Sequence, residues 1–241
     1  AATASYETAA PWQVVPDNHG YFAEDGVGFS LVRRTADPPL DPDDYRNWRA
    51  SAQRYGSPGT DDPPAPVPPV YINELMSRSS AGELDYVEFY NPNAQPVDLG
   101  GWWLSDERNQ PFRYAIPAGT VVPAGGYLVL DGSQYGAGVS FNTEGERCYL
   151  FSGDQAGVLT GYSHGFQFTG AERGMSFGRH PASDGSEAFP VQMMPTPGAP
   201  NAGPRVPPVV ISRILYRPAL VGDAYVELYN TTEAPINLWD P

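Results

Sequence analysis

Apolar and polar residues alternate along several short runs in the middle of this 241-residue chain. Tyr71–Met76 and Tyr86–Tyr90 alternate with a period of two, which is typical of half-buried β-strands. Asn91-Pro92 ends the second run, and Gly100-Gly101 interrupts the run that follows, as turns do. The pattern therefore predicts three short strands in close succession between residues 70 and 104.

The same short sequence motifs recur 139 positions later, without an insertion or deletion. Self-similarity at a fixed long period indicates an array of one structural unit. The matched segments are 68–72 with 207–211, 86–91 with 225–230, and 96–99 with 235–238.

Several longer sequence motifs follow one another between residues 70 and 203. They are Asn73-Glu74, Tyr86-Val87-Glu88-Phe89-Tyr90-Asn91-Pro92, Val97-Asp98-Leu99-Gly100-Gly101-Trp102, Pro123-Ala124-Gly125-Gly126-Tyr127 and Pro195-Thr196-Pro197-Gly198-Ala199-Pro200-Asn201. In this order they resemble the lamin-tail domain family. The resemblance implies an immunoglobulin-like β-sandwich, with one complete copy over residues 70–203.

Partial copies flank the complete one. Residues 1–62 resemble the closing half of the unit, because Ser57-Pro58-Gly59 answers Thr196-Pro197-Gly198 at the offset of 139, and Gly28-Phe29-Ser30 answers Gly174-Met175-Ser176 at an offset of 146. Residues 209–241 resemble the opening half. The proline-rich segments 63–69 and 204–208 are semi-rigid spacers between these units. A short helical turn is expected between residues 43 and 52.

Composition supports an all-β chain and argues against nucleic acid as a partner. Residues that interrupt regular secondary structure are frequent, with 26 glycines and 27 prolines. This favours many short strands over long helices. The formal charge is −14 and Lys plus Arg total only 14, so a nucleic-acid backbone would be repelled. No apolar run is long enough to suggest a membrane span.

One motif points to an enzyme and fails on its context. Ser176 lies in Gly174-Met175-Ser176-Phe177-Gly178, the pattern of a hydrolase nucleophile elbow, which requires a helix after the serine. Pro181 and Gly185 follow instead. The histidines His19, His164 and His180 lie at no metal-ligand spacing. We therefore predict no enzyme and no cofactor.

The single cysteine, Cys148, rules out an internal disulfide. It alternates in phase with Leu150, which places both side chains on one strand face. Cys148 is therefore predicted to be a small core residue.

Two sets of carboxylates are candidates for chemistry. Glu74 and Glu88 fall on neighbouring strands, where a facing pair serves acid–base catalysis, a cation or a surface ladder. The third copy has Arg213 and Glu227 at these positions, which favours the surface ladder. The acidic clusters at 41–44 and 61–62 are candidate calcium ligands, but they lack EF-hand spacing, and solvated loops are the favoured interpretation.

Outward aromatic residues suggest a contact surface. Alternation places Tyr86, Glu88 and Tyr90 on one strand face, and it places one ring of the Trp102-Trp103 pair in the core and the other outside. The preferred partner is another copy or a neighbouring domain of the same chain, with carbohydrate as the alternative. The predicted interaction residues are Tyr86, Glu88, Tyr90, Trp103, Val210, Ile211, Tyr225, Val226, Leu228 and Trp239.

Together these patterns predict a non-enzymatic structural module, extracellular or at the cell surface, that assembles head to tail into a rod or filament. In this hypothesis the opening half of one chain completes the closing half of the next by strand complementation. The composite would be shorter than the central copy, so a counterpart of the hairpin at Pro123 to Tyr127 would be lacking or replaced. The alternative is an accessory adhesion or targeting module of a larger secreted hydrolase, which the resemblance to bacterial relatives implies.

Overall fold

Antiparallel strands dominate the computed structural model, and the described residues include a single short helix. The all-β prediction is thereby confirmed. The structure describes residues 30–33, 48–52, 55–63, 67–107, 110–183, 187–217 and 223–238.

A small hairpin contains the described strands of the N-terminal unit. It consists of β1 (Leu31–Arg33) and β2 (Trp48–Ala50), with Leu31 opposite Ala50. The expected helical turn at 43–52 is therefore wrong for residues 48–50, because their backbone groups pair across the hairpin with β1. Residues 43–47 lie outside the described part of the chain.

The central unit contains most of the described strands. They are β3 (Tyr71–Met76), β4 (Tyr86–Tyr90), β5 (Val97–Asp98), β6 (Trp103–Ser105), β7 (Tyr114–Ala115), β8 (Val121–Val122), β9 (Tyr127–Asp131), β10 (Gly145–Gly153), β11 (Leu159–Thr169), β12 (Phe177–Gly178), β13 (His180–Pro181) and β14 (Glu187–Ala188). The helix α1 (Gly132–Tyr135) follows β9 directly. Asp131 and Gln134 form a capping box at its N-terminus.

Two sheets of the central unit form a β-sandwich. Within the described residues, the first sheet has the strand order β12-β3-β4-β9 and the second has the order β11-β10-β6-β7. The shorter pairs β5–β8 and β13–β14 lie outside these two sheets. The inward side chains of both sheets meet in one hydrophobic core, whose fully or almost fully buried members include Ile72, Leu75, Val87, Phe89, Leu104, Cys148, Leu150, Phe166 and Phe168.

Aromatic rings connect the two layers of this core. The ring centroids of Phe168, on β11 of the second sheet, and Phe177, on β12 of the first sheet, are 5.4 Å apart. Cys148 is completely buried, as its alternation with Leu150 predicted. The thiol is therefore shielded from solvent, and burial raises its pKa well above the ordinary value.

The C-terminal hairpin repeats the geometry of β3 and β4. It consists of β15 (Val209–Leu215) and β16 (Tyr225–Asn230). Ile211 lies opposite Leu228 and Arg213 opposite Glu227, with a register shift between the two pairs. In the central unit Ile72 lies opposite Phe89 and Glu74 opposite Glu88, again with a shift between them. Every paired residue of this comparison is related by the offset of 139, so the bulge recurs at the same place.

Candidate functional site

Two carboxylates lie buried at the centre of the first sheet. Glu74 on β3 is directly opposite Glu88 on β4, and neither side chain is exposed to solvent. The prediction that this pair forms a surface ladder is therefore wrong. Alternation correctly places both residues away from the main core, but the closing segment, residues 195–203, covers that outer face of the sheet and supplies hydrogen-bond donors to it.

Glu74 accepts hydrogen bonds from three residues on three different parts of the chain. The hydroxyl groups of Tyr86 and Ser176 donate to its Oε1 over 2.8 and 2.5 Å. The backbone N–H of Thr196 donates to the same oxygen over 2.9 Å, and the Thr196 hydroxyl donates to Oε2 over 2.9 Å. These donors occupy both carboxylate oxygens of Glu74. Glu74 is thus a structural anchor.

Glu88 holds the closing segment at a second point. Its Oε1 accepts a hydrogen bond from Asn73 Nδ2 over 2.7 Å, and its Oε2 accepts one from the backbone N–H of Gly198. Asn73 Nδ2 also donates to Asn201 Oδ1 over 3.0 Å, and Asn201 Nδ2 donates back to the Asn73 carbonyl over 3.1 Å. The closing segment is therefore fastened at Thr196, Gly198 and Asn201.

Glu88 has an unusually high pKa for a glutamate, about 7 instead of 4.5. Burial is the main cause, hydrogen bonds from Gly198 and Asn73 oppose it, and the charge of Glu74 raises the pKa further. Burial also raises the pKa of the Tyr86 phenol, with the neighbouring Glu74 carboxylate as the next cause. The phenol therefore remains a donor to Glu74 at every physiological pH.

The raised pKa makes stability depend on pH. Because the pKa of Glu88 is higher in the folded state than its ordinary value, folding is favoured by protonation, and this contribution falls as pH rises from about 4.5 through 7. We expect the free energy of unfolding to decrease over this range by at most about 3 kcal/mol, and Glu88→Gln to flatten the decrease. Urea unfolding at several pH values checks this. An unchanged slope in the variant would contradict the assignment.

A second buried hydrogen-bond network joins the two sheets beside β3. The His164 side chain is fully buried on β11, and its Nδ1 accepts a hydrogen bond from the Ile72 N–H over 2.9 Å. Nε2 therefore carries the hydrogen that is donated to Glu187 Oε2 over 3.0 Å. Glu187 Oε1 accepts from Arg179 Nε over 2.8 Å, and the Arg179 guanidinium lies 3.9 Å from the centre of the Tyr71 ring.

The environment of Glu187 lowers its pKa to about 2. Burial alone acts in the opposite direction, but the hydrogen bonds from His164 and Arg179 and the charge of Arg179 outweigh it. The carboxylate is thus ionised at neutral pH and joins β11 to the residue that follows β12. Sequence reasoning missed this network, because its members lie far apart in the chain, with 92 residues between Ile72 and His164 alone. The motif Phe177-Gly178-Arg179 was the sequence feature that could have pointed to this network.

Ser176 lacks the exposure and the following helix of a nucleophile elbow. Its side chain is fully buried, its hydroxyl donates to Glu74, and it is followed by the extended residues of β12. A nucleophile elbow instead requires an exposed hydroxyl, a neighbouring base and a helix. The geometry gives Ser176 the role of anchoring β12 to β3.

Several predicted interaction residues are not on the surface. Tyr86 is 8% exposed and Glu88 is fully buried, so the prediction of an outward platform at these two positions is wrong. Tyr90 is half-buried, with its ring centroid 5.0 Å from that of Tyr127. Trp102 lies in the core, whereas Trp103 is half-buried and meets the exposed Phe112 ring edge-on at 5.0 Å.

The C-terminal hairpin does expose its apolar residues. Ile211, Tyr225, Val226 and Leu228 are exposed and Val210 is half-buried. Ile214, which was not among the predicted residues, is 57% exposed, whereas its counterpart Leu75 in the central unit is completely buried. Trp239 lies outside the described residues.

The acidic clusters give no support for a cation. Residues 41–44 lie outside the described part of the chain. Asp61 is exposed, and Asp62 accepts hydrogen bonds from the Ala52 N–H over 3.0 Å and from the Ser57 hydroxyl over 2.7 Å. Across the described ranges, no group of three or more His, Cys, Asp or Glu side chains is placed to hold a metal ion.

The strand order, the common core and the buried anchors define an immunoglobulin-like β-sandwich as the class of the central unit. The family model described as Lamin Tail Domain matches residues 63–165, in agreement with the resemblance of the sequence motifs. The closing segment and β12 lie beyond the matched residues. No curated protein and no solved structure matches the chain. In the part of the chain that is described, no helix has the length and apolarity needed to cross a membrane.

Proposed function

We propose that this chain is a non-enzymatic structural repeat module, extracellular or at the cell surface, that assembles head to tail into a rod or filament. The observation that carries the proposal is the exposed apolar face of the C-terminal hairpin. The location outside the cell is proposed on the family resemblance alone.

The apolar face is defined by comparison with the central unit. Ile211, Ile214, Val226 and Leu228 are each about half exposed or more, between 49% and 59%. Their counterparts at the offset of 139, namely Ile72, Leu75, Val87 and Phe89, are all completely buried. Burying a side chain of this size fully stabilises a structure by roughly 1.5 to 3 kcal/mol. Burying this apolar face against another part of a protein would therefore stabilise the hairpin substantially.

The N-terminal unit supplies part of such a cover. The Ser51 N–H donates to the Ser30 carbonyl over 2.8 Å, and in the central unit the Gln192 N–H donates to the Ser176 carbonyl over the same distance. The hairpin β1–β2 thus repeats the contact between β12 and the segment that follows it. Ser57-Pro58-Gly59 then repeats Thr196-Pro197-Gly198 of the closing segment. Opening and closing parts of the unit are present on the same chain.

This arrangement supports the proposed self-assembly. The C-terminal hairpin β15–β16 and the N-terminal hairpin β1–β2 lie on opposite sides of the central unit in the sequence. A contact between these two hairpins of different chains would join unlike surfaces and would therefore be heterologous. A heterologous contact that does not close on itself produces a linear polymer.

A substitution on the apolar face tests the proposal. We expect the wild-type chain to form concentration-dependent oligomers, and Ile214→Asp to shift it to the monomer, since an uncompensated charge would enter the contact. Sedimentation velocity at micromolar concentrations measures the distribution. Tyr216→Asp is the matched control, because Tyr216 is exposed and follows β15, outside the paired residues.

A wild-type chain that stays monomeric over the whole concentration range would overturn the proposal. It would favour the alternative role as an accessory module of a larger secreted hydrolase. Electron micrographs of the wild type provide an independent view, because rods or filaments are expected and isolated particles are not.

A further inference from the structure

The first sheet of the central unit has a strand, β12, with no counterpart beside the C-terminal hairpin as described. β12 pairs antiparallel with the edge of β3 that faces away from β4, with Phe177 opposite Leu75 and Gly178 opposite Glu74. Among the described strands, β15 pairs with β16 alone. Five of its seven residues are apolar. A long apolar edge of this kind favours pairing with a strand of another chain.

β1 is the counterpart of β12 in the N-terminal unit, at the offset of 146. An added Cβ at Gly178 would overlap the Gln192 side chain. β1 has the larger Val32 at this position, whereas Ser51, which repeats the backbone contact of Gln192, has the smaller side chain. This exchange of volume between two neighbouring positions indicates that β1 and β12 take the same place in their units.

The hydrogen bonds between β12 and β3 define which residues pair closely. The Arg179 N–H donates to the Asn73 carbonyl over 2.7 Å, so these two residues form a hydrogen-bonded pair. Such pairs alternate with non-hydrogen-bonded pairs along antiparallel strands. Gly178 and Glu74 therefore form a non-hydrogen-bonded pair, in which the Cα atoms approach most closely.

We propose that β1 of one chain adds antiparallel to the free edge of β15 of a second copy, with Val32 opposite Arg213 and Leu31 opposite Ile214. The offsets of 146 and 139 transfer this register from β12 and β3. The inference rests on the proposed head-to-tail assembly, and it names the strand, the edge and the register of the contact. Backbone hydrogen bonds supply the affinity, as in other cases of strand addition.

The replacement of Glu74 by Arg213 at the anchor position is compatible with this pairing. In the central unit the Ser176 hydroxyl donates to Glu74, and Ser30 is the counterpart of Ser176. A hydroxyl group both donates and accepts, so Ser30 can accept a hydrogen bond from the Arg213 guanidinium. Glu227 lies 3.5 Å from Arg213 on the same hairpin and balances its charge. The junction therefore needs no further acid.

A disulfide between the paired positions tests the register. We expect a chain with Val32→Cys and Arg213→Cys to form a ladder of covalent oligomers in oxidised glutathione. The Cα atoms of a non-hydrogen-bonded pair are about 4.5 Å apart, which a disulfide spans. Val32→Cys with Leu215→Cys is the matched control, because two residues along β15 add a displacement of about 7 Å. Non-reducing gel electrophoresis separates the products, and the fully buried Cys148 does not compete.

Hydrogen exchange of the wild-type chain gives a second measurement without any substitution. By the same alternation, the Ile214 N–H points to the free edge of β15. Peptides that contain Ile214 are therefore expected to gain protection as the protein concentration rises. Peptides from β9 of the central unit serve as the control, since no change is expected there.

The outcomes separate this inference from the proposed function. Wild-type oligomers without added protection at Ile214 would overturn the strand pairing and leave the assembly standing. Equal cross-linking of the Arg213 and Leu215 variants would overturn the register. A monomer with an internal cross-link would overturn the second copy as the partner. A wild-type chain that does not assemble at all overturns the proposed function itself.

Discussion

Replacing Glu74 by alanine is expected to destabilise the central unit by about 3 to 5 kcal/mol. The substitution leaves the hydroxyl groups of Tyr86 and Ser176 and the N–H of Thr196 without their buried acceptor. Each unsatisfied buried donor costs about 1 to 3 kcal/mol, so the losses add to a large part of the stability of a domain. Guanidinium chloride unfolding, followed by far-UV circular dichroism, measures the change.

Glu172→Ala is the control for this prediction. The Glu172 side chain is 71% exposed and pairs with Arg205 over 2.8 Å on the surface. Exposed pairs contribute little, so we expect a change within about 0.5 kcal/mol. If the two substitutions had equal effects, Glu74 would not be the anchor that the hydrogen bonds indicate.

Gly101→Ala is expected to cost about 3 kcal/mol or more. Gly101 has a φ of +84°, and an added Cβ would lie 2.2 Å from the Asp154 carbonyl oxygen. A left-handed backbone costs an alanine about 1 to 2 kcal/mol, and the overlap with a backbone atom adds a similar or larger amount. The same denaturant titration detects the loss.

Gly125→Ala separates the two causes. Gly125 also has a positive φ, +61°, but its added Cβ would meet nothing within 4 Å. We expect a loss of only about 1 kcal/mol, which reports the backbone term alone. An equal loss at both positions would mean that the turn at Gly101 moves away from Asp154 without cost.

The order of short motifs was sufficient to predict the class of fold. Alternation in β3 and β4 separated Leu75 and Val87 from Glu74 and Glu88 correctly, and the in-phase Cys148 and Leu150 are both in the core. Periodicity reports which face a side chain takes. It contains no information on what later covers that face.

The anchors were missed for this reason. Thr196 lies 122 residues from Glu74, and Gly198 lies 110 residues from Glu88. The motifs were recognised as separate words, and nothing in a single sequence states that they meet. Arg213, which stands 139 positions after Glu74, favoured a surface role for Glu74, and Arg213 itself does pair with Glu227 on an exposed hairpin.

The fastening of the closing segment has a mechanical consequence. Asn73, near the start of the central unit, is bonded to Asn201, near its end, so the two points at which the chain enters and leaves the unit are close together. Tension along a polymer would pull these points apart and peel the closing segment from the sheet one contact at a time. Its nine residues, 195–203, would release at most about 30 Å of slack per unit before the sandwich itself bears the load.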